Sequence, residues 1–443
     1  MRSTARRRST MPPACSRQMT STRRHRATRS SPTSSGSSGL PIACSPQAER
    51  RSRTLPLVKI TDVTCIPSWN GHRNDTYVFV DTDAGLTGIG EAGLSGQELA
   101  VAAYIEQNRS QIIGRDAEDI EAIWQHLYRG GFFPAAKIGA AAISAIDIAL
   151  WDLKGKALGV PLYQLFGGRV RDRVVLYPHN RSSEVGGGRQ QIDELVASCV
   201  ETTSQGWKFV RWGLPQQGAG VLEPGPAVRA CVDQVRAVRD AIGPDVEICV
   251  DVHTRLDQAD AVTLLRAVEP YGPYFMEDPV RAENFAALRR VRQATAVPIA
   301  MGEHCSSKWE FCELIDEELA DYIRLDVAMC GGISESRKIA GWAEVHHLKI
   351  VPHCPTGPVT LAASLHLCLA ASNFGVLECP HRPGCSLTDA FPRTLTWDDG
   401  HLLPPTAPGL GIEVHREVLR QKYPYRPTNM PTLRRRDGSL TNW

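Results

Sequence analysis

EICVDVH (247–253), YFMEDPV (274–280), PIAMGEH (298–304), YIRLDVA (322–328), KIVPHCP (349–355) and FGVLEC (374–379) share one pattern: a short apolar run that ends on an ionisable residue. Those residues are Asp251, Glu277, Glu303, Asp326, His353 and Glu378, at intervals of 26, 26, 23, 27 and 25 positions. Such an interval holds one strand, one helix and two loops. Two further strands are predicted upstream, RVVLYPH (173–179) and KFVRWGL (208–214), and helical segments such as AVRACVDQVRAVRDAIG and NFAALRRVRQATA fill the gaps. Eight strands alternating with helices predict a parallel barrel, whose strand ends surround one mouth. A doubly wound sheet would need a glycine-rich phosphate loop after its first strand, and YPHNRSSEVGGGRQQ lacks that fingerprint.

Upstream of the barrel, VKITDVTCIP and TYVFVDTDAGLTGIGEAG read as two or three antiparallel strands, with Asp83-Ala84-Gly85 as a turn. From Gly96 to Lys156 the pattern becomes helical. Apolar residues recur at three- and four-residue steps around Ala142, Ile143, Ile146, Ala149 and Leu150, until Gly159 and Pro161 end the run. After Cys379 the chain is rich in Pro and Gly and loses the strand–helix rhythm, which predicts a return over the first unit. The fold class is therefore α/β: a modified (β/α)8-type barrel over 173–380, with an α+β capping domain built from 55–172 and the C-terminal segment 381–443.

A chain of 443 residues is long enough for both units, and 42% hydrophobic residues is ordinary for a globular protein. No apolar run approaches the ~18 residues that cross a bilayer, so no membrane partner is expected. The 13 cysteines form no CxxC pair, and several sit in apolar runs, as Cys249 and Cys368 do. That usage fits reduced thiols and a cytoplasmic location, and argues against structural zinc. The net charge of +2 conceals an asymmetry: residues 1–54 hold 12 Arg and a single acid, Glu49, for +11, which leaves −9 on the rest. This Arg- and Ser-rich tail is too poor in apolar residues to build a core. Of a dispensable leader, a transit peptide and a nucleic-acid arm, the first is favoured, because the tail lacks amphipathic periodicity. An acidic body is a poor fit to nucleic acid.

One acid at a strand end is usually a helix cap. Three in succession, Asp251, Glu277 and Glu303, instead predict a metal site, and all-oxygen ligation favours Mg2+ over Zn2+. His353 is the expected general base, with Asp326, one strand earlier, fixing its tautomer. His253 is expected to share the strand face of Asp251 and to serve as a second acid/base. Arg211 is expected to meet a substrate carboxylate, and Glu378 to polarise or hold a substrate oxygen. His179, Trp212, Arg255 and His304 complete the expected lining. No Ser or Cys has a nucleophile's setting: GLSG (93–96) is no nucleophile elbow, and Cys354 faces away from His353.

These segments together resemble the enolase superfamily in its mandelate racemase-like branch. The resemblance spans about residues 55–443 and rests on AAISAIDIALWDLKGKALGVPLYQLFGG, DVH, MEDP, GEH, LDVAMCGGI and PHCPTGP. DVHTR with PHCPTGP is similar to galactonate dehydratases, whereas GWKFVRWGLP, LYRGGFF and RRRDGSLTNW look more like the mannonate group. A second-strand Lys-x-Lys would fall on Arg211 and Gly213, and its absence argues against chemistry that uses a lysine base there. The resemblance implies a capping domain over the barrel, Mg2+, and removal of the proton α to a carboxylate. For a sugar acid, His353 would take that proton and His253 would protonate the departing 3-hydroxyl, giving a 2-keto-3-deoxy acid. The alternatives are racemisation, epimerisation or cycloisomerisation of a related acid, and a non-catalytic metal-binding regulator. The expected partner is a small sugar acid such as galactonate, mannonate or gluconate, bound by a homo-oligomer. Specificity is expected from the capping loops 65–76 and 128–137, including Trp69, Arg73, Arg129 and Phe132.

Overall fold

Backbone pairing of three alternating segments starts the capping unit. The computed structural model describes residues 58–181, 189–218 and 220–441. Strands β1 (Ile60–Trp69), β2 (Asn74–Thr82) and β3 (Thr87–Ala92) form an antiparallel sheet in that order. The basic tail 1–54 and the start expected at Leu55 lie outside the described residues. Helices α1 (Glu98–Ile112), α2 (Ile120–Arg129) and α3 (Lys137–Leu158) follow. The alanines of α3 let it lie directly on β3: a Cβ added to Gly90 would stand 1.7 Å from the carbonyl oxygen of Ala145. Gly159, at φ 70, ends α3 in the left-handed conformation, with its N–H donated back into the last turn. The short α4 (Leu162–Leu165) leads into the barrel.

The barrel alternates strands and helices: β4 (Val174–Tyr177), α5 (Arg189–Ser204), β5 (Phe209–Gly213), α6 (Pro224–Ile242), β6 (Glu247–Asp251) and α7 (Gln258–Val268). It continues through β7 (Phe275–Glu277), α8 (Phe285–Ala294), β8 (Ile299–Met301), α9 (Phe311–Asp316), β9 (Tyr322–Ile323), α10 (Gly332–Val345), β10 (Lys349–Ile350), α11 (Pro358–Ala370) and β11 (Leu377–Glu378). Strands β5 to β10 form one parallel sheet in sequential order, and β11 pairs in parallel with β4. The ring closes through a few links on each side. Ile350 bridges Phe374 in parallel on one side, and Asn180 N–H donates to the Arg211 carbonyl at 2.7 Å on the other. A hairpin of β12 (Trp397–Asp398) and β13 (His401–Leu402) adds antiparallel to β4.

The strands are shorter than the apolar runs suggest. Asp251, Glu277 and Glu378 end theirs, but Glu303, Asp326 and His353 lie two or three residues past the last paired position. Single inter-strand hydrogen bonds still tie these positions, as His353 N–H donates to the Leu325 carbonyl at 3.0 Å.

Two apolar cores result. One lies between the barrel sheet and its helices, with Val250, Met276, Ile299 and Leu325 fully buried. The other lies under the cap, between α3 and β2, around Val78, Val80, Ile143 and Ala145. The C-terminal segment crosses back to the cap. Helix α12 (Arg416–Lys422) forms a paired salt bridge from Arg416 to Asp81. Beyond it, Trp69 N–H donates to the Tyr423 carbonyl. The described cysteines are all free thiols, and among the described residues no helix is long and apolar enough to cross a membrane.

Candidate active site

Consecutive strands put Asp251, Glu277 and Glu303 side by side at the mouth. Asp251 and Glu277 face each other across β6 and β7 in register. All three are buried, Glu277 completely. Asp251 Oδ2 accepts from Arg211 Nη2 at 2.5 Å, and Glu277 Oε1 stands 2.7 Å from Arg324 Nη2 without hydrogen-bond alignment. Asp251 Oδ1 and both oxygens of Glu277 accept no hydrogen bond. Burial, and then the Asp251 and Glu303 carboxylates, push the Glu277 pKa far up despite the two arginines. Buried carboxylate oxygens without donors are costly, and a hard divalent cation satisfies them. The chemistry of these three carboxylates therefore fits Mg2+, while the ligand atoms that already lie within 4.8 Å of one another among the described residues are those of Asp278, Glu303 and His304.

Two histidines flank the third carboxylate. His353 Nε2 lies 3.6 Å from Glu303 Oε2, and His253 Nε2 lies 3.9 Å from Glu303 Oε1. His353 Nδ1 sits 2.7 Å from Asp326 Oδ2, while Asp326 Oδ1 accepts from the Ala328 N–H. Burial alone would depress His353, but the Glu303, Glu378 and Asp326 carboxylates outweigh it and hold its pKa above the ordinary value. His253 reaches Glu303 by a different route from the one the strand periodicity predicts. Strand β6 ends at Asp251, and His253 and Thr254 both adopt left-handed backbone, at φ 55 and 57. The turn, not strand alternation, aims the ring.

Several expected lining residues have other work. Trp212 does not face the mouth: neighbours on a strand point to opposite sides, so its buried indole packs toward α6 and donates to Gln234 Oε1 at 3.1 Å. The Arg211 guanidinium is already engaged with Asp251, and lies 3.7 Å from Glu277. Glu378 is likewise committed, accepting from Arg324, from Cys354 N–H and from His179 Nε2 at 2.6–2.9 Å. Burial and then Arg211 lower the His179 pKa to about 4. Arg255 donates to the Leu214 carbonyl at 3.2 Å. His304 is half exposed on the outer side of Glu303, 3.6 Å from Oε1, with Lys137 bonded to its carbonyl. Of the capping-loop residues, Trp69 packs against Arg426, Arg129 lies over Trp309, and Phe132 is 94% exposed.

Arg324 is the centre that sequence reading overlooked. It is completely buried, donates to Tyr177 Oη at 2.5 Å and to Glu378 Oε2 at 2.9 Å, and stands beside Glu277 and Glu303. Its signal was a cation inside the apolar run YIRLDVA, two residues before Asp326. Asp278 was also overlooked: it is buried at φ 40, with neither carboxylate oxygen hydrogen-bonded, and groups with Glu303 and His304 within 4.8 Å. Arg324→Met should lower the unfolding free energy of the metal-free protein by about 3–5 kcal/mol, because it strands buried carboxylates. The check is the urea midpoint, which should fall with an unchanged slope. A wild-type midpoint would mean that these carboxylates are balanced otherwise.

Residues 63–167 match the family model "Mandelate racemase / muconate lactonizing enzyme, N-terminal domain", and residues 194–418 match "Enolase C-terminal domain-like". A D-galactonate dehydratase family member of Streptomyces bingchenggensis is 40% identical over 399 residues, covering 84% of this chain and 95% of the relative. A D-mannonate dehydratase of Caulobacter sp. is 37% identical over 415 residues, 87% of this chain and all of the relative. Among solved structures, an enolase from Pantoea ananatis with bound D-gluconate and Mg superposes with a TM-score of 0.80 at 30% identity, covering 87% of this chain and 100% of that one.

Proposed function

The chain belongs to the mandelate racemase / muconate lactonizing enzyme family of the enolase superfamily, and we propose that it is a Mg2+-dependent dehydratase of a sugar acid. The observation that carries this reading is the pair of histidines on either side of Glu303, beside buried carboxylates that lack donors. The relatives named as dehydratases support it.

Asp251, Glu277 and Glu303 would hold the cation, which supplies positive charge where the carboxylate of the substrate gains negative charge. His353 is the base. Nδ1–H donates a hydrogen bond to Asp326, which leaves the Nε2 lone pair facing the substrate and steadies the imidazolium once it forms. Nε2 accepts the C2 proton, and the C–H electron pair moves into an enediolate. As the electrons return, a C2–C3 double bond forms and the C3–O bond breaks. His253 gives its proton to the leaving oxygen, so water departs. The remaining enol becomes a 2-keto-3-deoxy acid by proton transfer to C3. Asp326 and Arg324 are positioning residues here: one orients the base, and the other holds Glu277, Glu303 and Glu378 in place.

Incubating the Mg2+-loaded protein with galactonate, mannonate and gluconate tests the reaction class. A 2-keto acid should form from at least one of them. Recovery of an epimerised acid with no keto product would replace dehydration by racemase chemistry.

A further inference from the structure

A cavity of about 230 Å³ opens beside the carboxylate cluster, between the capping loop 70–73 and the barrel loops that follow β10 and β11. It connects to the site through two residues that touch Glu378. His179 bonds the carboxylate through Nε2 and Cys354 through its backbone N–H, and both line the cavity. Cys354 also directly follows the base His353. One wall therefore adjoins the reaction site through Glu378, and the opposite wall belongs to the cap.

The lining is markedly cationic. Arg73 comes from the cap, Arg181 from the loop after β4, and His381 from the segment after β11. Two separate chain segments thus bring arginines together, and a third adds the His381 ring as a hydrogen-bond donor beside them. They are close enough to affect one another: burial first, then Arg181, His72 and Arg73, lower the pKa of His381. Among the described residues, Asp75 is the only acid in the lining. Its Oδ2 already accepts from Asn70 Nδ2 and Tyr77 Oη, and burial raises its pKa to about 6. Arg73 acts on Asp75 and draws its pKa down in part, so a single acid faces two arginines. Arg382, also in the lining, is turned away, stacked on Trp397 and bonded to Gln205.

Like charges gathered on a concave wall are unfavourable without an anion to meet them. The reacting carboxylate of the substrate belongs outside this lining, by Asp251, Glu277 and Glu303, on the far side of His179 and Glu378. On the footing of the dehydratase reading, we propose that this cavity selects sugar acids carrying a second anionic group at the end remote from the reacting carboxylate. Arg73, Arg181 and His381 are the groups that meet it. An aldaric acid has that chemistry, and so does an aldonic acid phosphorylated at its far end. Arginine suits either anion, because its planar fork matches both carboxylate and phosphate.

The test compares matched substrates on the Mg2+-loaded full-length protein: an aldonate, the aldarate of the same configuration, and the 6-phosphoaldonate. Either dianion should exceed the aldonate in kcat/KM by at least about tenfold. The better of the two identifies the group. Arg73→Gln and Arg181→Gln should raise KM for the dianion at least about tenfold, leave its kcat nearly unchanged, and disturb the aldonate much less. An aldonate that equals or beats both dianions overturns the proposal, and so do variants that weaken all three substrates alike. If nothing is turned over, calorimetric binding of the same three acids still decides. Preferential dianion binding that Arg73→Gln abolishes would uphold the cationic subsite while the dehydratase reading falls. Equal binding would remove the subsite as well.

Discussion

Glu277→Gln is expected to lower turnover by at least about 10²-fold, more than the loss of an outer partner of a metal ligand typically costs. The residue is fully buried at the end of β7, between Asp251 and Glu303, and neither of its oxygens accepts a hydrogen bond. Glutamine keeps the volume and one acceptor oxygen for Arg324 but removes the charge. The fold should therefore persist while the cation site loses a ligand. The measurements are steady-state turnover, circular dichroism and Mg2+ affinity by calorimetry. Extensive dialysis against EDTA should reproduce the loss in the wild-type protein, with recovery on adding Mg2+. Near wild-type turnover in metal-stripped protein would sink the metal reading.

His353→Asn should have the second large effect, a loss of general-base catalysis worth about 10²–10⁴-fold. Asparagine can still accept or donate a hydrogen bond toward Asp326, so orientation of the loop should survive. It cannot take up a proton. Asp326→Asn gives the matching control. It removes the carboxylate that orients the ring and should lower kcat while leaving KM close to wild type, because Asp326 does not face the substrate. Equal losses in folding and in activity for both variants would indicate a structural histidine.

The recurrence of an ionisable residue every 23–27 positions made the barrel and its mouth readable, because a parallel barrel turns sequence period into spatial convergence. Asp251, Glu277, Glu303, Asp326 and His353 all came from that pattern. What it could not supply was the state of each side chain. Arg211 looked like a group waiting for substrate, yet it sits against Asp251 at 2.5 Å. Glu378 looked equally free, yet three donors hold it. Charge balance inside a closed ring depends on all the strands at once, and no single strand reveals it. Trp212 was misread for a simpler reason. Alternation along β5 cannot aim both Arg211 and Trp212 at the mouth. His253 lies near Glu303 through a left-handed turn that is invisible to a period-two pattern, not through the strand face it was expected to share with Asp251. Arg324 went unread because a fully buried cation in an apolar run makes sense only once its three carboxylate neighbours are known.

The central claim is a division of labour between two histidines on opposite oxygens of Glu303, and exchange of the substrate α-proton with D2O tests it most directly. His353→Asn should lose both dehydration and exchange, because nothing else removes the C2 proton. His253→Asn should lose dehydration yet still exchange that proton, because the enediolate forms and collapses back while His353 trades its proton with solvent. Exchange that survives in His353→Asn and vanishes in His253→Asn would contradict the assignment and reverse the two roles.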